Sequence, residues 1–231
     1  MSQHFGIARR QLDGEHERLE ETYRWTKQCV IAAGFAQEVD WQARRAFSQL
    51  DETTFLQEAA WVILCSGFRE SVVRRSFAPV SRAFRHWRTA VSITAHEEQC
   101  RANALLAYNH SGKIDAICAV ARRVAHNGFT VVRQAIDAGG VEYLRTLPYI
   151  GQVTAYHLAK NIGLNVAKPD RHLQRIANAA GFACVQEFCA TIAELSGDSV
   201  PVVDVVLWRF ATLNPGYIQL FVTSGCAATG A

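Results

Sequence analysis

The sequence predicts an all-α fold, and three observations support this. Apolar residues recur at helical spacing through most of the chain, and one such set is Leu56, Ala59, Ala60, Ile63 and Leu64. No stretch shows the strict alternation of a half-buried strand, and no segment is repeated. The turn signals lie close together, so that no long linker divides the 231 residues. The chain is long and apolar enough for one large domain or two small ones.

Residues 1–50 predict a polar lead followed by helices. Gly34 is expected to end one of these helices. The core candidates of this region are Tyr23, Trp25, Val30, Ile31 and Phe35. Residues 51–54 then carry a helix start signal, with Asp51 or Thr53 as the N-cap of a helix over 55–65.

Turn residues divide the rest of the chain into further short helices. Pro79 is placed near a break, and Gly139-Gly140 is placed between two helices. The predicted helices cover 72–87, 97–110, 114–125, 129–138, 141–147, 152–162, 171–180, 185–195 and 202–212, and a frayed tail begins at Ser224.

The composition argues against a membrane or disulfide-bonded protein. No window approaches the length of a transmembrane span, and residues 1–11 have no signal-peptide core, so we expect a cytoplasmic protein with no membrane partner. The seven cysteines are an odd number scattered through helical patterns. This distribution is typical of reduced thiols rather than of a disulfide framework.

The charge is unevenly distributed along the chain. The net charge is only +3, but residues 69–88 hold six arginines against one acid, Glu70, whereas acids gather in residues 13–21. A one-sided field of this kind suits a protein that binds a phosphate backbone. The alternative is a solvated helix face, which usually mixes both signs of charge.

The most informative stretch is Leu147-Pro148-Tyr149-Ile150-Gly151, which predicts a tight turn before the helix over 152–162. A helix that begins just after a glycine turn directs unpaired backbone N–H groups outward, and these groups suit a phosphate. Further along, Pro169 fixes the chain before Asp170, which is placed at the start of the next helix.

These two segments resemble the helix-hairpin-helix DNA glycosylases, the superfamily of endonuclease III, the mismatch-repair adenine glycosylase and the alkyl-base glycosylases. The family hairpin reads Leu-Pro-Gly-(Ile/Val)-Gly, and a catalytic Asp follows the second hairpin helix. Here Leu147 to Gly151 match the hairpin and Asp170 matches the acid. The similarity covers about residues 55–176, roughly half of the chain. Two alternatives remain open: such turns also occur in polymerases and helicases that only hold backbone, and Asp170 alone also fits an ordinary N-cap.

The resemblance implies a fold and a reaction. The fold has two helical lobes with a DNA-binding cleft between them: a helical barrel over 51–165 that ends in the helix-hairpin-helix, and a second lobe from 1–50 plus 166–231. The reaction is base excision from duplex DNA that contains a damaged or modified base. Bifunctional relatives carry a lysine where Val153 stands, so we expect a monofunctional enzyme that leaves an abasic site. Lys160 and Lys168 remain candidates for a substitute amine.

The resemblance also implies the residues of the site. Asp170 is the catalytic carboxylate, and the N–H groups of Gly151, Val153 and Thr154 hold a phosphate. Further expected DNA contacts are Tyr149, Gln152, Arg171 and His172. The backbone carbonyls of Arg145, Leu147 and Ile150 hold a monovalent cation, Na⁺ or K⁺. Tyr149 replaces the first hairpin glycine and would be strained if the backbone there has a positive φ.

The loop after the 55–65 helix is expected to enter the DNA where the target base leaves. Phe68 serves as a wedge and Arg69 contacts the orphaned partner or a phosphate, although Phe68 also fits a core aromatic. Glu58, Trp61 and Cys65 are weaker candidates for the base pocket. Only Cys184 and Cys189 lie close together, so no iron–sulfur cluster is expected.

Two other classes of function remain open. A non-catalytic helix-hairpin-helix DNA-binding module would keep the hairpin and the basic segment without needing Asp170. A helical protein-interaction domain would show no salt-dependent DNA binding. Neither the excised base nor its opposite-base partner is legible in the sequence, and we expect the protein to act as a monomer in the cytoplasm, associated with the nucleoid, or in the nucleus of a eukaryote.

Overall fold

The structure is a computed structural model that describes residues 2–222, with side chains from Gly14 onward. Every regular element in this range is helical, which confirms the all-α prediction. The predicted frayed tail from Ser224 and the cysteine at position 226 lie outside the described residues. Within the described range, no helix combines the length and the apolar character needed to cross a membrane.

The α-helices of the described range are short apart from the first. They are α1 (Ser2–Val30), α2 (Ala36–Ala43), α3 (Glu52–Cys65), α4 (Glu70–Ala83), α5 (Ala90–Thr94), α6 (Glu97–Ala107), α7 (Ser111–Asn127), α8 (Phe129–Leu144), α9 (Gln152–Asn161), α10 (Arg171–Ala179), α11 (Val185–Ser196) and α12 (Val200–Leu213). A π-helical turn, Ile31–Phe35, joins α1 to α2, and single helical turns lie at Phe47–Gln49, Arg85–Trp87 and Tyr217–Phe221.

The chain divides into two compact units. The central unit is Arg45–Leu164, and the terminal unit contains the described residues before Arg45 and after Leu164. The assignment of a helical barrel and a second lobe to these units, and of a cleft between them, stays a prediction.

The core of the terminal unit is formed by α1, α10, α11 and α12. Tyr23 and Val30 are fully buried in it, as predicted. Trp25 and Ile31 were predicted in the same core, but they are 48% and 43% exposed. The reason lies in the helical period, because the buried positions Tyr23, Thr26 and Val30 define a narrow stripe that neither residue shares.

The core of the central unit is built around α3, which packs against α7 and α9. The Asp51 carboxylate accepts the Thr54 N–H at 2.7 Å, so Asp51 and not Thr53 is the N-cap. The close approach of two backbone segments requires a glycine at position 163, where φ is +93°. A Cβ atom at Gly163 would lie 2.4 Å from the backbone nitrogen of Phe47, so that only glycine fits there.

Two predicted boundaries in the central unit are wrong, and a third prediction is confirmed. Pro79 lies inside α4, which continues to Ala83. The helix predicted over 97–110 ends at Ala107, because the chain turns before His110 caps α7. The break predicted at Gly139-Gly140 is confirmed, because the backbone of Gly140 inside α8 is not helical, with φ +50° and ψ −132°.

Candidate nucleic-acid interface and carboxylate site

The loop over 145–151 joins α8 to α9 and is held by its apolar residues. The side chains of Leu147 and Ile150 are buried, and the Ile150 N–H donates to the Leu147 carbonyl at 3.2 Å. This bond closes a tight turn, as the Leu-Pro-x-Ile-Gly pattern predicts. Burial of the two apolar residues leaves Tyr149 between them 46% exposed at the tip of the turn.

Tyr149 adopts a left-handed backbone conformation with φ +65°. This conformation is uncommon for residues other than glycine and costs on the order of 1 kcal/mol, so the strain expected from the loss of the family glycine is present. Contacts of the Tyr149 ring offset this backbone strain. The ring lies against Gly112, where an added Cβ would be 3.4 Å from the phenol oxygen, and edge-on to His110 with 6.1 Å between ring centroids.

The first turn of α9 provides unpaired backbone donors. Within the described chain, no acceptor contacts the N–H groups of Gln152, Val153 and Thr154. The Gly151 N–H differs because it donates to the Thr154 hydroxyl oxygen at 2.7 Å, while that hydroxyl donates to the Gly151 carbonyl at 3.1 Å. The predicted phosphate contact of Gly151 therefore requires this local bond to open, whereas the other amides are ready to donate.

An open pocket lies at this N-terminus. Its volume is about 600 Å³, and it is lined by Ser66 together with Tyr149, Ile150, Gly151, Gln152, Val153 and Thr154. Ser66 follows directly after α3, so the pocket joins the α3–α4 loop to the start of α9. Ser66, from the loop that is expected to enter the DNA, and the start of α9 thus line one pocket of the central unit.

The α3–α4 loop presents Phe68 and Arg69 to solvent. Phe68 is 46% exposed, which excludes a fully buried core position for its ring. One edge of the ring meets Tyr108 at 5.9 Å and His110 at 6.0 Å between centroids. Because His110 also contacts Tyr149, the exposed rings of Phe68 and Tyr149 flank the same histidine.

The basic segment begins at this loop and continues along α4. Its six arginines, Arg69, Arg74, Arg75, Arg82, Arg85 and Arg88, are all exposed. Arg74 forms an ion pair with Glu70, the one acid of the segment, and lies 5.8 Å above the Trp61 ring. The segment ends in the turn Arg85–Trp87, where all three residues have positive φ values of 55–61°. Burial of the Trp87 ring, stacked on Phe84 at 5.1 Å, offsets part of that strain.

The three weaker pocket candidates have different surroundings. Glu58 is buried, accepts the Asn161 amide at 2.9 Å and lies 3.6 Å from Arg45, and burial raises the pKa of its carboxyl group. Trp61 packs edge-on against Phe77 with 5.1 Å between centroids. Neither residue lines the pocket at the start of α9, nor does Cys65. Their assignment to a base pocket stays a prediction.

The cation site expected at the carbonyl groups of the α8–α9 loop stays a prediction. Within the described residues, the carbonyls of Arg145 and Ile150 accept no hydrogen bond, and the carbonyl of Leu147 accepts only the Ile150 N–H. Each oxygen therefore keeps a free lone pair, which is the donor type that Na⁺ and K⁺ require. Among the described residues, no cluster of three or more His, Cys, Asp or Glu side chains suits a metal ion.

Asp170 lies in the terminal unit and caps α10. Its Oδ1 accepts the N–H groups of His172 at 2.9 Å and of Leu173 at 3.2 Å. Its Oδ2 takes no part in the cap and lies 3.6 Å from the Lys168 ammonium nitrogen. The side chain is 13% exposed, so one oxygen is fixed by the helix while the other faces a cation.

Side chains from two other helices fix the loop that precedes Asp170. The Gln186 side chain pairs with both backbone groups of Ala167, accepting its N–H at 2.9 Å and donating to its carbonyl. The buried Asp204 carboxylate accepts the Lys168 N–H at 2.6 Å. Sequence reasoning missed Gln186, because a polar residue in the first turn of a helix gives no signal of a distant backbone partner.

The residues after Asp170 differ in exposure. Arg171 is exposed, whereas His172 is half-buried with its Nδ1 atom 3.1 Å from the Tyr217 hydroxyl group. Burial lowers the pKa of His172, which favours the neutral imidazole. Near α11, Cys184 is exposed and Cys189 is buried, so the two neighbouring cysteines have different environments.

Comparison with protein-family models, with curated proteins and with solved structures gives no match for this chain. The residues and their geometry therefore carry the functional inference.

Proposed function

We propose that the protein is a monofunctional DNA glycosylase. It binds duplex DNA, flips a damaged or modified nucleotide out of the stack and hydrolyses its N-glycosidic bond, leaving an abasic site. The observation that carries the proposal is the way in which Asp170 is fixed in place. Gln186 and Asp204 hold the loop before it, and the cap of α10 holds Oδ1. Phosphate binding does not need an acid, so a protein that only binds phosphates would use Asp170 as a helix cap alone.

Asp170 supplies the charge that the reaction needs. When the N-glycosidic bond breaks, its electron pair leaves with the base and positive charge develops on the sugar. A fixed carboxylate stabilises that charge, and Oδ2, which takes no part in the helix cap, orients the water that attacks C1′. The water loses a proton as it becomes the C1′ hydroxyl group, and the departing base gains one.

The central unit supplies the DNA contacts in this proposal. The N–H groups of Gln152, Val153 and Thr154 bind a phosphate, since they lack acceptors and lie at the positive end of α9. Phe68 contacts the gap in the stack, and the arginines of α4 neutralise further phosphates. Val153 has no amine, so water rather than a hairpin lysine is the nucleophile.

A non-catalytic DNA-binding module is the second candidate. One observation favours it: Oδ1 of Asp170 accepts two N–H groups of α10, which gives the side chain a complete structural role as an N-cap. In that case the amides of α9 and the arginines of α4 would account for the whole function.

Base release from end-labelled duplexes distinguishes the two candidates. A panel of duplexes with alkylated, oxidised, deaminated, mismatched and hypermodified bases is incubated with wild type and with Asp170→Asn, and each sample is split before treatment with hot alkali. Strand breaks that need alkali and disappear in the variant support the monofunctional glycosylase and name the base. Salt-dependent binding of every duplex without release on any of them supports the binding module. Breaks without alkali contradict the assignment of water as the nucleophile.

A further inference from the structure

Lys113 is a buried lysine whose ammonium group contacts the α3–α4 loop. The side chain is 1% exposed. Its Nζ atom donates to the carbonyl of Leu64 at 2.5 Å and to that of Ser66 at 2.6 Å. The Phe68 ring covers the same atom, with 4.2 Å between Nζ and the ring centroid. One cation therefore contacts three residues along the end of α3 and the loop that follows.

The surroundings of this cation contain no carboxylate partner. Among the described residues, no Asp or Glu side chain forms an ion pair with Lys113. Its charge is balanced instead by the negative end of the α3 dipole and by the Phe68 ring face. The titratable groups around it are Cys65 on α3, the Tyr108 phenol and the His110 imidazole, and none of them is a carboxylate.

We infer that Lys113 is the positioning residue for Phe68, holding the 66–69 loop so that one face of the ring stays available to DNA. The inference rests on the proposed function, because the proposed function places this loop at the gap that the flipped nucleotide leaves in the base stack. Nothing in the catalytic assignment of Asp170 requires Lys113, which lies in the other unit.

The contacts explain why an ammonium group is needed at this position. The two carbonyls belong to the end of α3, where no further turn of helix satisfies them. An apolar side chain would leave the Ser66 carbonyl without its donor and the Leu64 carbonyl with only the Tyr108 hydroxyl group at 3.2 Å, so the loop would lose its anchor. The ring would lose the cation beneath it at the same time. Phe68 would then sample several positions, and ordering it on DNA would weaken binding.

A double-mutant cycle tests this coupling. Fluorescence polarisation measures the Kd of wild type, Lys113→Met, Phe68→Ala and the double variant for a duplex that carries a tetrahydrofuran abasic-site analogue. We expect each single change to weaken binding by about 10-fold, the size of a lost stacking contact. The double variant should bind at most about 20-fold more weakly than wild type, because both changes remove one function. Two independent changes would weaken binding by about 100-fold. Leu106→Ala, at an 89% exposed position of the same unit, is the matched control and should bind as wild type.

The pH dependence supplies a second test, in which loss of a proton and not a substitution removes the cation. Burial lowers the pKa of Lys113 to about 8, so the wild-type cation loses its proton between pH 7 and pH 9. Wild-type affinity for the duplex should fall across that range. Phe68→Ala should show a smaller fall, and Lys113→Arg, which stays charged, should bind at pH 9 as it does at pH 7.

The outcomes separate this inference from the proposed function. Multiplicative effects of the two single changes, or equal pH responses of wild type and Phe68→Ala, would overturn the positioning role. If wild type shows no salt-dependent binding of any duplex, the proposed function fails, and the role of Lys113 at DNA fails with it. Base release by wild type together with multiplicative effects keeps the glycosylase and removes only Lys113.

Discussion

Two segments that we assign to one function are built in opposite ways. The α8–α9 loop and first turn of α9, residues 145–154, offer backbone N–H groups from a strained turn whose exposed residue is Tyr149. The Asp170 loop, residues 165–170, is held from outside by side chains of α11 and α12 and offers one carboxylate. The first segment is thus held by its buried apolar residues and, at its start, by the Arg123 side chain, which donates to Thr146. The second is held by distant polar side chains directly before its functional residue.

The difference matches what each segment must do. A phosphate is large, mobile and recognised by charge, so amides that point outward from any helix start suffice to bind it. A carboxylate that stabilises a developing sugar cation must be fixed before the reaction begins. The amides of α9 therefore need no distant support, whereas Asp170 has support from Gln186 and Asp204.

The largest expected effect separates catalysis from capping at Asp170. Asp170→Asn keeps the N-cap acceptor and removes the charge, so base release should fall by about 10²–10³-fold, as for loss of one electrostatic group at a transition state. Thermal stability should be close to that of wild type, because Asn caps helices as well as Asp. Asp170→Ala should lose the same activity and also about 1 kcal/mol of unfolding free energy. Single-turnover base release and thermal melts measure the two quantities.

Activity of Asp170→Asn equal to that of wild type would reduce this loop to a helix cap and remove the contrast between the two segments. Loss of DNA binding in the same variant would also contradict it, since the comparison assigns binding to the amides of α9.

The next effect concerns Tyr149, where strain and ring contacts oppose one another. Tyr149→Gly removes a backbone cost on the order of 1 kcal/mol but also the ring contacts with His110 and Gly112, so the melting temperature should change little. DNA affinity should fall by about 5–20-fold if the exposed ring stacks on the DNA. Tyr149→Asn tolerates the left-handed conformation without the ring and should behave alike. Unchanged affinity in both variants would leave the amides of α9 as the sole contact of this segment.

The sequence predicts the fold class and many of the helix boundaries, but several boundaries escape it. The α9 and α10 helices begin where Gly151 and Asp170 indicate, since turn and cap residues act locally. Pro79 lies inside α4 and not near a break, because packing decides whether a breaker residue ends a helix or only bends it. The break at Gly140 is present as predicted.

Part of the candidate site can be predicted from the sequence, again because turn and cap residues act locally. Tyr149, Phe68 and Asp170 lie in segments whose turn and cap signals are local. Gln186 and Lys113 act on backbone groups far away in the chain, and no local signal marks such contacts. Lys113 does carry one hint, since it precedes the buried Ile114 and shares a helical stripe with Ile117. A lysine in an apolar stripe is a reason to look for buried acceptors.

A smaller effect is expected when one amide of α9 is removed. Gln152 is the first residue of α9, a position where proline is tolerated because no helical partner exists for its N–H. Gln152→Pro should weaken DNA binding by about 3–10-fold, the range for the net loss of one hydrogen bond. Gln152→Ala keeps the backbone N–H and is the matched control. If the alanine variant loses as much affinity as the proline variant, the side chain and not the amide makes the contact.

The smallest effect is a difference in pH response between the two segments. The amides of α9 do not titrate, whereas the segment after Asp170 contains His172, whose pKa is lowered by burial. Between that lowered value and the ordinary value of about 6.5, the unfolded chain binds more protons than the folded one at this residue. Folding stability from His172 is therefore complete above about pH 6.5 and is lost as the pH falls toward the folded-state pKa.

Thermal melts of wild type and His172→Gln between pH 7.5 and pH 5 measure this loss, because all other groups are common to both proteins. The melting temperature of wild type should fall by about 1–2 °C more than that of the variant across this range. The Asp170 charge favours protonation of His172. Without that charge, His172→Gln should remove a larger part of the fall in melting temperature. The difference between Asp170→Asn and the double variant Asp170→Asn, His172→Gln should therefore exceed the difference between wild type and His172→Gln. A wild type that gains stability on acidification relative to His172→Gln would mean that the Asp170 charge, and not burial, dominates at His172.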